Sequence, residues 1–328
     1  MKRIGFLYEK VMTLENIQEA YNLYNLNRPL HERRLFTLEE GARILAAMKA
    51  DYAAVIGRGI PRDYNDRGKM RKLEIPATFE AAIAMLALWN VCGQFVESHI
   101  HDNSFSSRIG KGGHAAARKM SRFVRTKRHA ARYCLYFDVK KFYAHIDKRI
   151  VMHRLEGIFK DARILELFRI VVYSTPSGLP IGYPFSHALA NLYLAPLYWI
   201  ARSTRGITQM YVYMDNHNVF AAHIAPLRRF LRDAKRWLAG VGCEVKDDWQ
   251  IFPTDVRPVK MCGLCVRSTG RRRLYRTLWR RTMRNFDRLT TDFKLSDYLG
   301  MQSRLGWLDL CGQRYCEAFK HEGGYLWR

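Results

Sequence analysis

Residues 211–220 read YVYMDNHNVF. Apolar residues flank a polar run from Asp215 to Asn218, and such a run is typical of the turn that closes a β-hairpin. The sequence therefore predicts two short strands, Tyr211 to Met214 and Val219 to Phe220, with Asp215 in the turn between them. Because Asp is a common turn residue in any hairpin, the role of this carboxylate depends on the rest of the chain.

The composition indicates a basic globular protein. The chain has 328 residues, 48% of them hydrophobic, so it can bury a sizeable core and suits two or three packed subdomains. Its 55 Lys and Arg against 30 Asp and Glu give a formal net charge of +25. Such a surface favours a polyanionic partner, and aromatic residues at 13% can stack on bases. We therefore expect nucleic acid, and no membrane, as the partner.

The chain carries no segment that predicts membrane insertion or secretion. The longest apolar stretch, around Ala81 to Val91, is shorter than the roughly 20 residues needed to span a bilayer. The first residues, MKRIGFLYEK, lack a long apolar region with a cleavage site. We therefore expect a cytoplasmic protein.

The seven cysteines indicate reduced thiols, since their number is odd and no secretory signal precedes them. Cys262 and Cys265 form a CxxC pair, with Cys311 and Cys316 downstream. The second pair is too widely spaced for the usual structural zinc site. We interpret these cysteines as small core residues.

Helices and strands alternate along the sequence, which predicts a mixed α+β fold. The first 50 residues read as helical, with Thr37 and Glu40 as a capping box. The basic segment 60–72 reads as a loop, and residues 103–132 combine a glycine-rich turn with a basic helix. Further helices are expected at 77–99, at 150–173, from about 186, at 226–239, and in a basic C-terminal region from about 268.

Two aspartates are candidate ligands for a metal ion. Asp138 ends a predicted apolar strand, and Asp215 lies in the turn between two others. If these strands are neighbours in an antiparallel sheet, both carboxylates meet at one edge. Mg²⁺ prefers such oxygen ligands, and a pair of ions can hold the attacking and leaving oxygens of a phosphoryl displacement. The pattern therefore indicates nucleotidyl transfer.

Four ordered motifs resemble the palm motifs of reverse transcriptases. They are FDVKKFY at 137–143, GLPIGYPFSHALANLYL at 178–194, YMDN at 213–216 and GCEVKDDWQIFP at 242–253. Together with SRLGWLDLCG at 303–312, they look most like the bacterial, group II intron-related branch, which includes the enzymes of diversity-generating retroelements. The resemblance implies a right-hand polymerase fold, with fingers and an N-terminal extension at 1–130, a palm at 131–267 with a fingers insertion at about 150–177, and a helical thumb at 268–328.

The resemblance also implies roles for individual residues. Asp138, Asp215 and the carbonyl of Val139 would be ligands for Mg²⁺, or for Mn²⁺ as a substitute. Tyr143 stands at the position of the steric gate that excludes a ribose 2′-OH. Asn216 replaces the usual second aspartate of the turn, keeping a carbonyl oxygen for a metal or its water but losing a charge.

The remaining implied contacts concern nucleotide and template. Lys72, or Arg71 beside it, aligns with the fingers residue that grips the triphosphate. Lys246 lies near the position at which the family has a lysine that assists proton transfer to pyrophosphate. The loop contacting the nascent pair contains Gly178, Ile181 and Gly182; an aliphatic residue at Ile181 is typical of the branch that mutates adenines. In the glycine-rich turn, Arg108 and Lys111 are candidate template or primer contacts.

Three further positions depart from the family pattern. The usual Ser-Gln is replaced by Ser186-His187, and the primer-grip strand reads Met261 to Leu264. The Asp-Arg pair that commonly follows the fingers motif is replaced by Ala81-Ala82.

These departures put ordinary processive activity in doubt and leave three hypotheses open. The first is an RNA-directed DNA polymerase of a diversity-generating retroelement, using a template RNA, a DNA or RNA primer and dNTPs. The second is an antiphage defence enzyme copying a noncoding RNA. The third is an RNA-binding scaffold or partner subunit; an accessory protein or a second copy of the chain is an open partner.

Overall fold

The secondary structure is mixed, as the sequence predicts. A computed structural model describes residues 3–26, 28, 30–66, 69–176, 178–274 and 280. Its helices are α1 (Tyr8–Val11), α2 (Leu14–Asn25), α3 (Leu38–Ala50), α4 (Tyr52–Ile56), α5 (Phe79–Ser98), α6 (Gly113–Thr126), α7 (Phe142–His145), α8 (Lys148–Ile158), α9 (Ala162–Tyr173), α10 (Ser186–Ser203) and α11 (Ile224–Gly240), with a 3-10 turn at Leu30–Glu32. Its strands are β1 (Ile60–Asp66), β2 (Lys69–Ile75), β3 (Tyr133–Asp138), β4 (Ile207–Tyr213), β5 (Asn216–Ala221), β6 (Gln250–Pro253), β7 (Val259–Met261), β8 (Leu264–Val266) and β9 (Arg272–Leu274).

One compact unit comprises the described residues of Met1–Asp102, Val139–Trp199 and Ala234–Val245. Helix α5 forms its centre and packs against α1, α2 and α4. The side chain of Thr78 caps α5 by accepting from the Ala81 N–H at 3.0 Å. A buried polar group of a neighbouring helix also finds its hydrogen-bond partner on α5. Tyr52 Oη of α4 donates to the Ala84 carbonyl of α5 at 3.1 Å.

The second compact unit comprises Asn103–Asp138, Ile200–Asp233 and the described residues from Lys246 onward. Its main sheet has four strands in the order β4-β5-β3-β6, all paired antiparallel. A smaller antiparallel sheet has the order β7-β8-β9. Apolar side chains of α6 and of both sheets share one core, which includes Phe105, Met120, Tyr211, Phe220 and Val259. This core supports the strand ends that carry the aspartates.

Several sequence predictions are confirmed. The Thr37 side chain accepts from the Glu40 N–H at 3.2 Å and so caps α3. Strand β3 ends at Asp138, and α10 begins at Ser186. The basic helix after the glycine-rich turn is α6.

One predicted element is wrong. The described residues of 60–72 lie in the antiparallel strands β1 and β2 instead of a loop, with Ile60 paired to Ile75. Because their side chains are largely charged and exposed, the apolar alternation that marks a strand is missing. Residues 150–173 are largely helical, as predicted, and they form α8 and α9. Asp161 begins the second of these helices by accepting from the Arg163 N–H at 3.2 Å.

The opening hairpin turns more tightly than predicted. Met214 and Asp215 alone separate β4 from β5, and Met214 adopts a positive φ of 58°. Asn216, His217 and Asn218 are strand residues, paired with β3 as well as β4. Polar side chains therefore extend into the sheet, where sequence patterning predicts only a turn.

Helix α5 confirms the helix predicted at 77–99. It has 20 residues and is long and apolar enough to cross a membrane, by length and composition only. Burial explains its composition, because 56% of its most apolar window lies inside the protein.

The C-terminal prediction can be compared with the structure only at its beginning. Residues Arg272–Leu274 form β9, so the expected helical region does not begin at 268. Residues 275–279 and 281–328, which hold most of the predicted thumb, Cys311, Cys316 and the SRLGWLDLCG motif, lie outside the described residues.

Candidate active site

The two predicted metal ligands lie at the same edge of the four-stranded sheet. Strand β3 pairs with β5 so that Asp138 stands opposite Asn216. Asp215 immediately precedes Asn216 at the turn between β4 and β5. The antiparallel neighbourhood expected from the sequence is thus confirmed, and it brings both carboxylates to one place.

Asp138 has one satisfied and one unsatisfied oxygen. Lys246 Nζ donates to Asp138 Oδ2 at 2.5 Å, and the Lys246 N–H donates to the Asp138 carbonyl at 2.8 Å. Asp138 Oδ1 is buried and has no hydrogen-bond partner among the described residues. Burial raises the pKa of Asp138 to about 6; the Lys246 ammonium opposes this shift, and the charge of Asp215 adds to it. The sequence did not predict this contact of Lys246.

This donor set fits a divalent metal ion. An orphaned buried carboxylate oxygen and a second carboxylate beside it provide hard oxygen ligands and need a cation to offset their repulsion. Val139, which follows Asp138 directly, is held by an antiparallel bridge to Val245 within its own unit. In the described part of the chain, no group of three or more His, Cys, Asp or Glu side chains could hold a metal. A metal here would therefore rely on two carboxylates, with backbone, water or substrate completing its shell.

Asn216 bridges a tyrosine and the carboxylate of Asp215. Tyr136 Oη donates to Asn216 Oδ1 at 2.8 Å, and Asn216 Nδ2 donates to Asp215 Oδ1 at 3.1 Å. Burial, together with the charges of Asp138 and other nearby carboxylates, raises the pKa of Tyr136 to about 12. Sequence reasoning missed Tyr136, although its position two residues before Asp138 places both on the same face of β3.

His217 supports the turn from the opposite face of the sheet. It is fully buried and stacks on Phe137, with ring centroids 4.5 Å apart. Its Nδ1 lies 2.8 Å from the Asp215 carbonyl oxygen. Burial lowers the pKa of His217 to about 4, so the ring is neutral near pH 7, and a proton on Nδ1 lets it donate to that carbonyl. The sequence predicts His217 only as a turn residue, so this role was missed.

The predicted steric gate contacts one of the departures from the family pattern. Tyr143 Oη and His187 Nδ1 are 2.5 Å apart within the first unit. Burial lowers the pKa of His187, so a neutral ring is favoured and Tyr143 can donate to it. No local pattern in the sequence indicates that these two side chains touch.

The loop from Gly178 to Gly182 is anchored at both ends. The Leu179 N–H donates to the Tyr143 carbonyl at 3.2 Å, and Gly178, at a φ of 58°, lies so close to this carbonyl that a Cβ would clash. The Glu74 N–H donates to the Ile181 carbonyl at 3.1 Å, which ties the loop to β2.

The predicted triphosphate contacts lie on that same strand. Lys72 is an exposed residue of β2, opposite Asp63 in the hairpin. Arg71 stands opposite Tyr64, and its side chain lies outside the described part of the structure. The predicted nucleotide contacts Ile181 and Lys72 are thus joined through one loop and one strand, while their roles stay predictions.

Arg108 and Lys111 lie in the turn before α6. Arg108 Nη1 donates to the Ser104 carbonyl at 3.0 Å, and the Lys111 N–H donates to the Arg108 carbonyl at 3.1 Å. Lys111 Nζ lies 5.7 Å from the centroid of the Phe105 ring. The glycine-rich turn is confirmed, and its contact with template or primer stays a prediction.

Sites that hold two metal ions occur in polymerases, nucleases and phosphatases. Residues 67–264 match the family described as reverse transcriptase (RNA-dependent DNA polymerase). The chain therefore belongs to the reverse transcriptase family, whose members are nucleotidyltransferases and generally use divalent metals. This confirms the family resemblance, whereas the bacterial branch within it stays a prediction. A search of curated proteins found no significant match.

Solved structures with a similar fold include telomerases from Candida species. Apo telomerase from Candida tropicalis, truncated from the C-terminal domain, has a TM-score of 0.53 at 12% identity over 73% of this chain and 61% of that one. Another apo telomerase structure from Candida tropicalis gives 0.53 at 10% identity, over 73% and 54%. Candida albicans telomerase, in complex with a TWJ fragment of telomeric RNA, gives 0.51 at 13%, over 67% and 46%.

At these identities the likeness shows the fold alone. It confirms a reverse transcriptase-like polymerase fold of mixed helix and sheet. The chain spans 61% and 54% of the lengths of the first two telomerases, so the assignment of fingers, palm and thumb boundaries stays a prediction.

We expect His217→Gln to change the pH dependence of stability. An unfolded histidine titrates near 6.5, whereas the pKa of folded His217 is about 4. Between these values only the unfolded chain binds the proton, so the unsubstituted protein loses stability as pH falls from about 6.5 to about 4. Gln keeps an N–H donor for Asp215 and removes the titration, so its urea midpoint should fall less over this range.

His223→Gln is the matched control, because His223 is an exposed histidine of the same unit. Its urea midpoint should follow that of the unsubstituted protein at every pH. Identical pH profiles for His217→Gln and the unsubstituted protein would contradict a buried neutral imidazole behind the turn.

Proposed function

We propose that this chain is an active RNA-directed DNA polymerase that makes cDNA from a dedicated RNA template in a diversity-generating retroelement, acting in the cytoplasm. The observation that carries this proposal is the pair of aspartates at one sheet edge in a chain of the reverse transcriptase family. One of them, the half-buried Asp138, has a buried oxygen that no described residue hydrogen-bonds. A buried carboxylate whose pKa is raised while a second carboxylate lies nearby is typical of a functional site.

Asp138 and Asp215, with the Val139 carbonyl, would hold Mg²⁺, and Mn²⁺ could replace it. The bound ions would neutralise charge at the reacting phosphate and lower the pKa of the primer 3′-OH. The protein's own part is to hold both carboxylates in place. Lys246 keeps Asp138 oriented through its side chain and its backbone N–H, and His217 holds the backbone of Asp215.

We further propose that the first unit selects the nucleotide. Lys72, with Arg71, would bind the triphosphate, and Lys246 would assist the departure of pyrophosphate. Tyr143 would exclude a ribose 2′-OH with its aromatic ring. The contact between Tyr143 and His187 restrains this ring. Ile181 and Gly182 would contact the nascent pair through a loop that β2 holds at its backbone.

A net charge of +25 supports binding to the phosphate backbone of a template RNA and its DNA or RNA primer. Gly178, Arg108 and Lys111 are the proposed contacts. Telomeric RNA is bound by the telomerase of Candida albicans, which is consistent with an RNA partner for this fold. An accessory protein or a second copy of the chain remains open.

Specific observations favour a second candidate, a scaffold that binds RNA without catalysis. Asn216 lacks the charge of the usual aspartate, and Ala81 and Ala82 are buried where an Asp-Arg pair is common. The intact Asp138, Asp215 and Tyr143 favour the active enzyme. An antiphage defence enzyme copying a noncoding RNA would use the same site, so only its products distinguish it from the retroelement enzyme.

We expect Asp138→Ala and Asp215→Ala each to abolish primer extension on an RNA template. Loss of one ligand removes electrostatic stabilisation of about 4 kcal/mol, which corresponds to a rate loss of roughly a thousandfold. RNA affinity should change little, because it depends on the basic surface. Both quantities can be measured on the same preparations, by gel-resolved extension and by filter binding.

Asp255→Ala provides the matched control, since Asp255 is an exposed aspartate of the same unit. It should extend primers at the unsubstituted rate. Extension at that rate by Asp138→Ala or Asp215→Ala would refute the assigned ligands, and no extension by the unsubstituted protein with its native RNA would favour the scaffold.

We expect copurifying cDNA to derive from a single RNA and to carry errors concentrated at template adenines. Ile181→Gln should reduce these errors roughly fivefold, because a restored amide can penalise misaligned pairs by about 1 kcal/mol. Val256→Gln, at an exposed position of the other unit, is the control. Accurate cDNA from a short noncoding RNA would instead indicate the defence enzyme, and an unchanged error spectrum in Ile181→Gln would remove Ile181 from the site.

A further inference from the structure

Asp215 needs support because of where it lies. It occupies a two-residue turn between β4 and β5, where the backbone has no ladder partner to hold the residue in register. A metal ligand must nevertheless present its oxygen in a fixed direction, and residues that hydrogen-bond a ligating carboxylate usually provide this. Among the described residues, Asn216 donates a hydrogen bond to this carboxylate, and it lies adjacent to Asp215 and opposite Asp138.

The amide of Asn216 is engaged at both ends. Its Oδ1 accepts from Tyr136 Oη at 2.8 Å, and its Nδ2 donates to Asp215 Oδ1 at 3.1 Å. The orientation is unambiguous, because an ionised carboxylate can only accept and therefore requires the NH₂ end of the amide. The phenol then meets the carbonyl end, to which it can donate.

The register of the sheet makes this bridge possible. Tyr136 stands opposite Asn218, and Asp138 stands opposite Asn216, so Tyr136 and Asn216 are diagonal neighbours on one face of the β3-β5 pair. Diagonal pairs of this kind are within reach of an aromatic side chain. Both Tyr136 and Asn216 are half-buried, so water competes only partly for these hydrogen bonds.

We propose that Asn216 is a positioning residue, and that the chain Tyr136–Asn216–Asp215 fixes the carboxylate of Asp215 for the metal. This inference rests on the proposed function of the site. It replaces the sequence interpretation of Asn216 as a ligand that has lost a charge. Asp at this position could not take the role, because a carboxylate has no proton to donate to Asp215 near neutral pH.

The two interpretations predict opposite effects of Tyr136→Phe. If Asn216 were a metal ligand, removing the phenol hydroxyl would free its carbonyl, and metal binding would stay the same or become tighter. If Asn216 positions Asp215, losing the hydroxyl lets the amide rotate, and metal binding weakens. Removal of one hydrogen bond of ordinary strength corresponds to a change of about threefold to tenfold in affinity.

The experiment measures Mn²⁺ binding to the full chain by electron paramagnetic resonance titration. Tyr136→Phe and Asn216→Ala should each weaken binding by about threefold to tenfold. The double variant should bind no more weakly than Asn216→Ala alone, because Tyr136 acts through Asn216. Tyr211→Phe is the control; this buried tyrosine lies on β4, at the other side of β5 from β3, and has its hydroxyl 3.5 Å from the Lys119 carbonyl oxygen. The Tyr211→Phe variant should bind Mn²⁺ as the unsubstituted protein does.

A second measurement separates positioning from a general loss of structure. In primer extension, Tyr136→Phe should raise the Mg²⁺ concentration for half-maximal rate by the same factor, while the rate at saturating Mg²⁺ stays close to that of the unsubstituted protein. Unchanged or tighter Mn²⁺ binding by Tyr136→Phe, or effects that multiply in the double variant, would overturn the inference. Failure of the proposed function looks different, since Asp138→Ala would then bind Mn²⁺ as well as the unsubstituted protein.

Discussion

The antiparallel pairing of β3 with β5 is the constraint on which the candidate site depends. It places Asp138 opposite Asn216 and so brings Asp215 to the same sheet edge. Two carboxylates in a partly buried place repel each other and lose hydration, and the raised pKa of Asp138 reflects both costs, burial being the larger. The fold holds this unfavourable arrangement because apolar strand residues beneath it pack into the core of the second unit, and a bound cation would relieve it.

The two faces of this sheet support the site in different ways. On one face, Tyr136, Asn216 and Asp215 form a chain of hydrogen bonds that ends on a carboxylate oxygen. On the other, His217 stacks on Phe137 and reaches the Asp215 carbonyl. The side chain of Asp215 is thus held from one side and its backbone from the other. Preorganisation of this kind reduces the reorganisation that a metal-dependent reaction requires.

The sequence predicts the parts of the fold in which local pattern and tertiary structure agree. Asp138 at a strand end and the helix from Ser186 follow from apolar runs bounded by polar or turn residues. The β1-β2 hairpin is not predicted, because its strands are exposed and charged and show no apolar alternation. The sequence predicts His217 to be a turn residue, whereas it is a buried strand residue. Its burial depends on pairing with β3, a strand about 80 positions earlier in the chain, and no local pattern encodes such a pairing.

The residues of the candidate site also divide into those that local sequence predicts and those that depend on tertiary contacts. Ordered motifs identify Asp138, Asp215 and Tyr143, since each lies within a short segment of characteristic sequence. The residues that hold them, namely Tyr136, His187 and the carboxylate-bound Lys246, depend on contacts between distant segments. Such contacts become visible only once the register of the strands and the path of the loops are known.

A metal site at the β3-β5 edge can be observed by anomalous scattering from crystals of the full chain soaked in Mn²⁺. We expect a strong peak bonded to carboxylate oxygens of both Asp138 and Asp215, at roughly 2.2 Å, with the Asn216 amide still donating to Asp215. A map in which Mn²⁺ binds elsewhere, while Asp138 stays paired with Lys246 alone, would contradict this expectation.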